Sequence, residues 1–232
     1  MIEEPPILSI NGKPNRPSEN QIHAFQGVPT GFVVDALYGS GALNKMIQPV
    51  GEGLDFTTSI AGPALTANCG PADILATLAA LKFIQQGDVV VSAFAAHQGC
   101  AAAGDRLTGM MKNCGAAGFV TDGPVRDYTG IVEVGLPVWC TGLTPASPYS
   151  SGPGSVGFAI QIGDQQVETG DMIIADRDGV VVVPFEKIDE TLANLERVRE
   201  AEKDLDAQVA DGLKIPDSVA ELLNSDRTKI HK

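Results

Sequence analysis

Long apolar runs, paired cysteines, clustered histidines and positive charge are all scarce in this chain of 232 residues. The most apolar helix-like stretch, ILATLAALKFI from Ile74 to Ile84, is too short to span a bilayer and contains Lys82. No apolar run with a basic flank opens the chain, so the sequence predicts a soluble, cytoplasmic protein. Cys69, Cys100, Cys114 and Cys140 match neither a CxxC metal pair nor a dense disulfide framework, and they read as free thiols. His23, His97 and His231 share no local motif, which leaves a histidine-based zinc site without support. Sixteen basic residues against twenty-nine acidic ones give a formal charge of -13, which repels nucleic acid and anionic membranes. An anionic substrate would therefore need local positive charge, from a metal ion or a placed arginine.

What is present is a hydrophobic content of 44%, enough for one substantial core. Residues 1–20 carry four prolines and no period, and they read as an N-terminal arm. A main domain over 21–185 and a C-terminal helix and tail over 186–232 follow. TGFVVDALYG, from Thr30, reads as a short helix with a threonine cap. TTSIAGPALTANC reads as a strand broken at Gly62-Pro63. Pro71 and Asp73 open a helix predicted to run to about Gln86. GDVVVSAFA, AAGFVTDG and LPVWCTG are unbroken apolar runs of strand length, separated by helices over Asp105–Asn113 and near Thr129–Val134. That alternation predicts parallel crossover units with helices covering a sheet.

From Val156 the pattern changes to three strand-like runs separated by Gly-Asp and Asp-Gly pairs, which predicts an added antiparallel layer. GPGSVG, from Gly152, matches GxGxxG but leads into a strand, so the phosphate-cradling geometry is missing. The last helix, roughly Glu186 to Ala210, carries an apolar stripe in which helical spacing places Glu202 between Val198 and Leu205. A carboxylate there either reaches solvent at the rim or meets a partner.

The stretch GDRLTGMMKNCGAAGFVTDGPVRD, Gly104 to Asp127, places an acid at a helix N-terminus and an Arg-Asp pair just past the C-terminal end of the next strand. Free N–H groups at a helix start and an arginine can hold an anion, and two acids can hold a hard divalent cation. The plain alternative is that Asp105 is a helix cap and Arg126-Asp127 a surface pair.

Together with SIAGPALT, GDVVV, LPVWCTG and GDMIIADRDGVVVVP, this arrangement resembles the RraA-like proteins and 4-hydroxy-4-methyl-2-oxoglutarate / 4-carboxy-4-hydroxy-2-oxoadipate aldolases, over about Thr30 to Gly212. The resemblance implies an α/β fold of the swivelling β/β/α type, assembled as a homotrimer or homohexamer. It also implies a class II pyruvate aldolase using Mg²⁺ or Mn²⁺ on a 4-hydroxy-2-oxo acid, with oxaloacetate decarboxylase activity. By the same resemblance Asp127 binds the metal, and Asp105 and a neighbouring subunit's Glu202 hold it through water. Arg126 contacts the oxygen of the nascent enolate, and the N–H groups of Arg106 and Leu107, next to Gly104, take the substrate carboxylate. Other members are non-catalytic regulators that bind a protein partner; Asp105 is the feature that separates the aldolases from them. One departure stands out: the acid that aldolases of this type carry three positions after the Arg-Asp aspartate is here Gly130, with Glu133 the nearest acid.

Overall fold

The computed structural model describes residues 6–53 and 59–231. The elements run β1 (Leu8–Ile10), α1 (Glu19–Ala24), α2 (Thr30–Ala36), β2 (Gln48–Pro49), β3 (Ile60–Asn68), α3 (Leu75–Ala80), β4 (Val89–Ala93), α4 (Asp105–Asn113), β5 (Gly118–Thr121), α5 (Tyr128–Val134) and β6 (Val138–Cys140). They continue with β7 (Gly154–Val156), β8 (Ile160–Ile162), β9 (Gln165–Val167), β10 (Met172–Ala175), β11 (Val180–Val183), α6 (Ile188–Ala210) and α7 (Asp217–Leu223). By internal contacts the chain divides into two compact units, Met1–Leu195 and Glu196–Lys232. Among the described residues no helix is long and apolar enough to cross a membrane.

The first unit is the expected α/β arrangement. β3, β4, β5 and β6 pair in parallel, and α3, α4 and α5 supply the crossovers. The apolar runs of β4 and β5 are buried on both faces, as a covered parallel sheet requires. Val89, Val91 and Val120 point into one core with Trp139, Ile162, Ile173 and Val182, while Val90, Phe119 and Val138 point into another with Leu107, Met111 and Ile131. The antiparallel layer is also present, as β10 pairs with both β11 and β3, and β8 with β9.

Four local expectations are corrected. The N-terminal arm contains β1, which pairs in parallel with β7, and its regular structure begins well before Gln21. β3 is not broken at Gly62-Pro63: Pro63 is the last residue paired with β10, and pairing with β4 begins at Ala64, so a missing N–H is tolerated there. Thr30 is not the cap of α2 but its first residue, and Asp176 caps it by accepting the Thr30 N–H and hydroxyl, each at 2.8 Å. The helix expected to reach Gln86 ends at Ala80, because Lys82 and Phe83 donate to Ala79 and Ala80 three residues back and tighten the chain into turns. The apolar period survives the change, since Leu78, Leu81 and Ile84 still pack on the core.

The N-terminal segment is held by Arg16, which donates to Asp88 Oδ1 and to the Gln86 carbonyl at 3.3 Å. Burial pushes the Asp88 carboxyl above the ordinary value, and the Gln85 N–H and Arg16 partly offset this. A raised carboxyl contributes stability that is present below its unfolded value and lost as pH rises through the folded one. Removing Arg16 leaves the buried charge unpaired, so Arg16→Ala should lose about 2 kcal/mol at neutral pH in urea unfolding. The loss should shrink as pH falls and Asp88 protonates; a pH-independent loss would exclude this account.

Candidate functional site

The loop after β4 is built by an acid after β5. Asp122, buried, accepts the Phe94 N–H at 2.5 Å and the Ala96 N–H at 2.8 Å. Ala95 and Ala96 both take left-handed backbone angles, with φ of 53° and 52°, a costly conformation for residues with a side chain. The chain thus turns sharply and returns along the sheet. The Ala102 N–H donates to the Pro124 carbonyl at 2.7 Å, and the Arg126 N–H to the Ala103 carbonyl at 3.0 Å. Small residues in AHQGCAAAG permit that approach, and they set Gly104 beside Arg126.

Asp105 is the first residue of α4, whose cap is Gly104. Its Oδ1 accepts the N–H of Arg106 at 2.6 Å. Asp127 precedes α5 in the left-handed region, with φ 59° and ψ 43°, and its side chain makes no capping bond. The carboxylate is left to face the cleft. Arg126 adjoins Asp127, with Nε 3.3 Å from Asp127 Oδ2 and a terminal nitrogen donating to Ser147 Oγ at 2.7 Å. A Cβ added at Gly104 would stand 2.6 Å from Asp127 Oδ2 and 3.1 Å from Arg126 Cγ. The two side chains thus lie against the main chain at Gly104, so the start of α4 and the Arg126-Asp127 pair share one site.

Gly104, Asp105, Arg106, Leu107, Arg126 and Asp127 therefore line a common cavity of about 150 Å³, walled on its apolar side by Ile74, Leu78, Met110 and Pro148. Arg126 and Asp127 also border a wider hollow of about 310 Å³ with Tyr128, Leu143, Thr144 and Pro145. Glu202 belongs to the unit Glu196–Lys232 and is partly buried. Glu133 is exposed on α5, and His97 packs edge-on against Phe94 with ring centroids 5.7 Å apart. Gly130 faces Asp105: a Cβ there would stand 2.6 Å from Asp105 Cβ and 2.8 Å from Oδ2. Ser147 was not marked by any motif, since a lone serine in a proline-containing loop carries no spacing signal.

Among the described residues, no group of three or more histidine, cysteine, aspartate or glutamate side chains is placed to hold a metal. Magnesium keeps several waters and needs only one or two carboxylates, so the oxygen donors of Asp127 and Asp105 fit such an ion.

The sequence profile of the RraA-like family, described as Aldolase/RraA, matches residues 30–182. The chain belongs to that family. It is 36% identical over 163 residues to a Halalkalibacterium halodurans protein provisionally named 4-hydroxy-4-methyl-2-oxoglutarate aldolase, covering 70% of this chain and 76% of that one. Among solved RraA-like structures, Streptomyces coelicolor RraAS2, described as an unusual member of the RNase ES inhibitor RraA family, superposes with a TM-score of 0.73 at 27% identity, over 83% of this chain and 100% of that one. The RNA-processing inhibitor RraA from Thermus thermophilis gives 0.60 at 25% identity, over 68% of this chain and 93% of that one. The relatives thus include proteins named as aldolases and proteins named as inhibitors.

Proposed function

We propose that this RraA-like chain is a divalent-metal-dependent pyruvate aldolase that cleaves a 4-hydroxy-2-oxo acid to pyruvate and a second carbonyl compound, and that it decarboxylates oxaloacetate. The observation that carries the reading is the convergence of Asp105, Arg126 and Asp127 on one cavity at the free N–H end of α4, beside Gly104. Asp127, with Asp105 through water, would hold Mg²⁺ or Mn²⁺. When bound, the ion supplies a Lewis acid that draws electron density from the 2-oxo oxygen. The N–H groups of Arg106 and Leu107 hold the substrate carboxylate, for which Asp105 Oδ1 must release the Arg106 N–H it now accepts. A water held by Asp105 takes the C4 hydroxyl proton as the C3–C4 bond breaks. The bonding pair becomes the pyruvate enolate, whose oxygen accepts a hydrogen bond from Arg126, and protonation at C3 completes pyruvate. Oxaloacetate gives the same enolate by losing CO₂.

Such a site is completed in a homotrimer or homohexamer, with Glu202 supplied to a neighbouring copy. The apolar residues that follow it on α6, Leu205 at 44% and Val209 at 57% exposure, suit burial against another chain. The free cysteines suit a cytoplasmic setting.

A second reading is a non-catalytic regulator that binds a protein partner, and the names of two solved relatives favour it. The two separate in one assay. Metal-stripped protein given oxaloacetate should form pyruvate only when Mg²⁺ or Mn²⁺ is restored, and Asp127→Ala should abolish the restored activity. No turnover with either metal would leave the regulator reading standing.

A further inference from the structure

The segment from Leu143 to Gly152 crosses the cleft as a strap. On one side of Ser147 it is tied by the Thr144 N–H to the Val125 carbonyl at 2.9 Å, and by the Ala101 N–H to the Ala146 carbonyl at 3.0 Å. On the other side, Tyr149 exchanges bonds with Ala72 and Ile74 at 2.8 and 2.9 Å. Beyond that, buried Asp73 accepts the N–H groups of Ser151 and Gly152 at 2.6 and 2.9 Å. The other oxygen of Asp73 accepts the Leu75 N–H at 2.7 Å, so the strap is fixed to the start of α3. Pro148 confines the preceding Ser147 to extended backbone. The serine therefore hangs from a segment held at both ends, and its hydroxyl meets the Arg126 guanidinium at 2.7 Å.

Arg126 needs such a hold. Its side chain is 36% exposed, and its contact to the neighbouring Asp127 is a long 3.3 Å. A long, partly exposed side chain loses reach to its many rotamers unless something pins it. Asp127 is itself the expected metal ligand and a poor anchor for the arginine.

We infer that Ser147 is a positioning residue, holding the Arg126 guanidinium across the cleft so that it meets charge appearing on the substrate oxygen. Its catalytic consequence rests on the aldolase reading, and its structural content does not. In Mg²⁺-dependent oxaloacetate decarboxylation, Ser147→Ala should lower kcat about tenfold with KM little changed. Ser147→Thr, which keeps the hydroxyl, should restore most of it. In an Arg126→Ala background, adding Ser147→Ala should cost nothing further, because the group it positions is gone. Full activity in Ser147→Ala, or losses that multiply in the double variant, would overturn the inference. Solvent exchange of the Arg126 terminal Nη1–H group that Ser147 Oγ accepts, followed by ¹⁵N NMR at low temperature, reads the hold directly: faster exchange in Ser147→Ala supports it, and unchanged exchange overturns it whatever the activity. Wild-type protein without turnover but with the exchange effect would remove the aldolase reading and keep the positioning.

Discussion

Arg126→Ala should lower kcat for oxaloacetate decarboxylation by about a hundredfold to a thousandfold, the range seen when one preorganised donor to a developing oxyanion is removed. The guanidinium sits beside the Asp127 carboxylate and across from the start of α4, where it can meet negative charge as it forms. Substrate binding should suffer less, since in the proposed mechanism the carboxylate is taken by main-chain N–H groups that the substitution leaves in place. The signature is therefore a fall in kcat larger than the rise in KM. Arg126→Lys should recover little, because a point ammonium cannot reach both Ser147 and a substrate oxygen with the same fixed fork. Steady-state kinetics of the three proteins under saturating Mg²⁺ checks this, and full activity in Arg126→Ala would remove the arginine from the mechanism.

Gly130→Asp should inactivate, although it restores an acid at the position where aldolases of this type carry one. The closest approach, 2.6 Å between a Cβ at 130 and Asp105 Cβ, is one that real side chains do not make. Turning the Asp105 side chain leaves its Cβ in place, so α4 and α5 must move apart and carry Asp105 with them. The new carboxylate also sets a like charge against Asp105. Loss of the Asp105 placement should reduce kcat by about a hundredfold. Gly130→Ala isolates the steric part. An alanine inside a helix ordinarily stabilises by about 1 kcal/mol over glycine, whereas overpacking here should destabilise by about 1–3 kcal/mol. A melting temperature that falls in Gly130→Ala confirms the contact; one that rises, with activity kept, shows that the two helices part easily and that Gly130 does not shape the site.

The site was legible in the sequence where regular elements place charges. Gly118–Thr121 reads as a strand from its apolar run, and α4 has the bounds its pattern predicts, so Asp105 and Arg126-Asp127 could be set at neighbouring element ends. What brings them together was not legible. The left-handed Ala95 and Ala96 have no compositional mark, and the Asp122 bonds that hold the turn come from the residue just past β5. Ser147 reaches Arg126 from twenty-one residues away. Thr30 shows the same limit, since its cap comes from Asp176, 146 residues along the chain. Local pattern records an element's own period, and it does not record which distant polar group will satisfy its ends. Pro63 was misread for the same reason: a proline ends a strand unless another ladder takes over at that residue, and that depends on where β10 lies.

The double pairing of β3 also constrains how the chain can be made. One edge meets β4 at residues 89–93, which emerge soon after it from the ribosome, but the other waits for β7 at 154–156 and β10 at 172–175. A nascent chain interrupted before those segments would display a long apolar strand with half its main-chain groups unpaired, a surface that recruits other chains. Translation pauses and premature stops in that interval should therefore yield aggregates rather than a smaller folded domain.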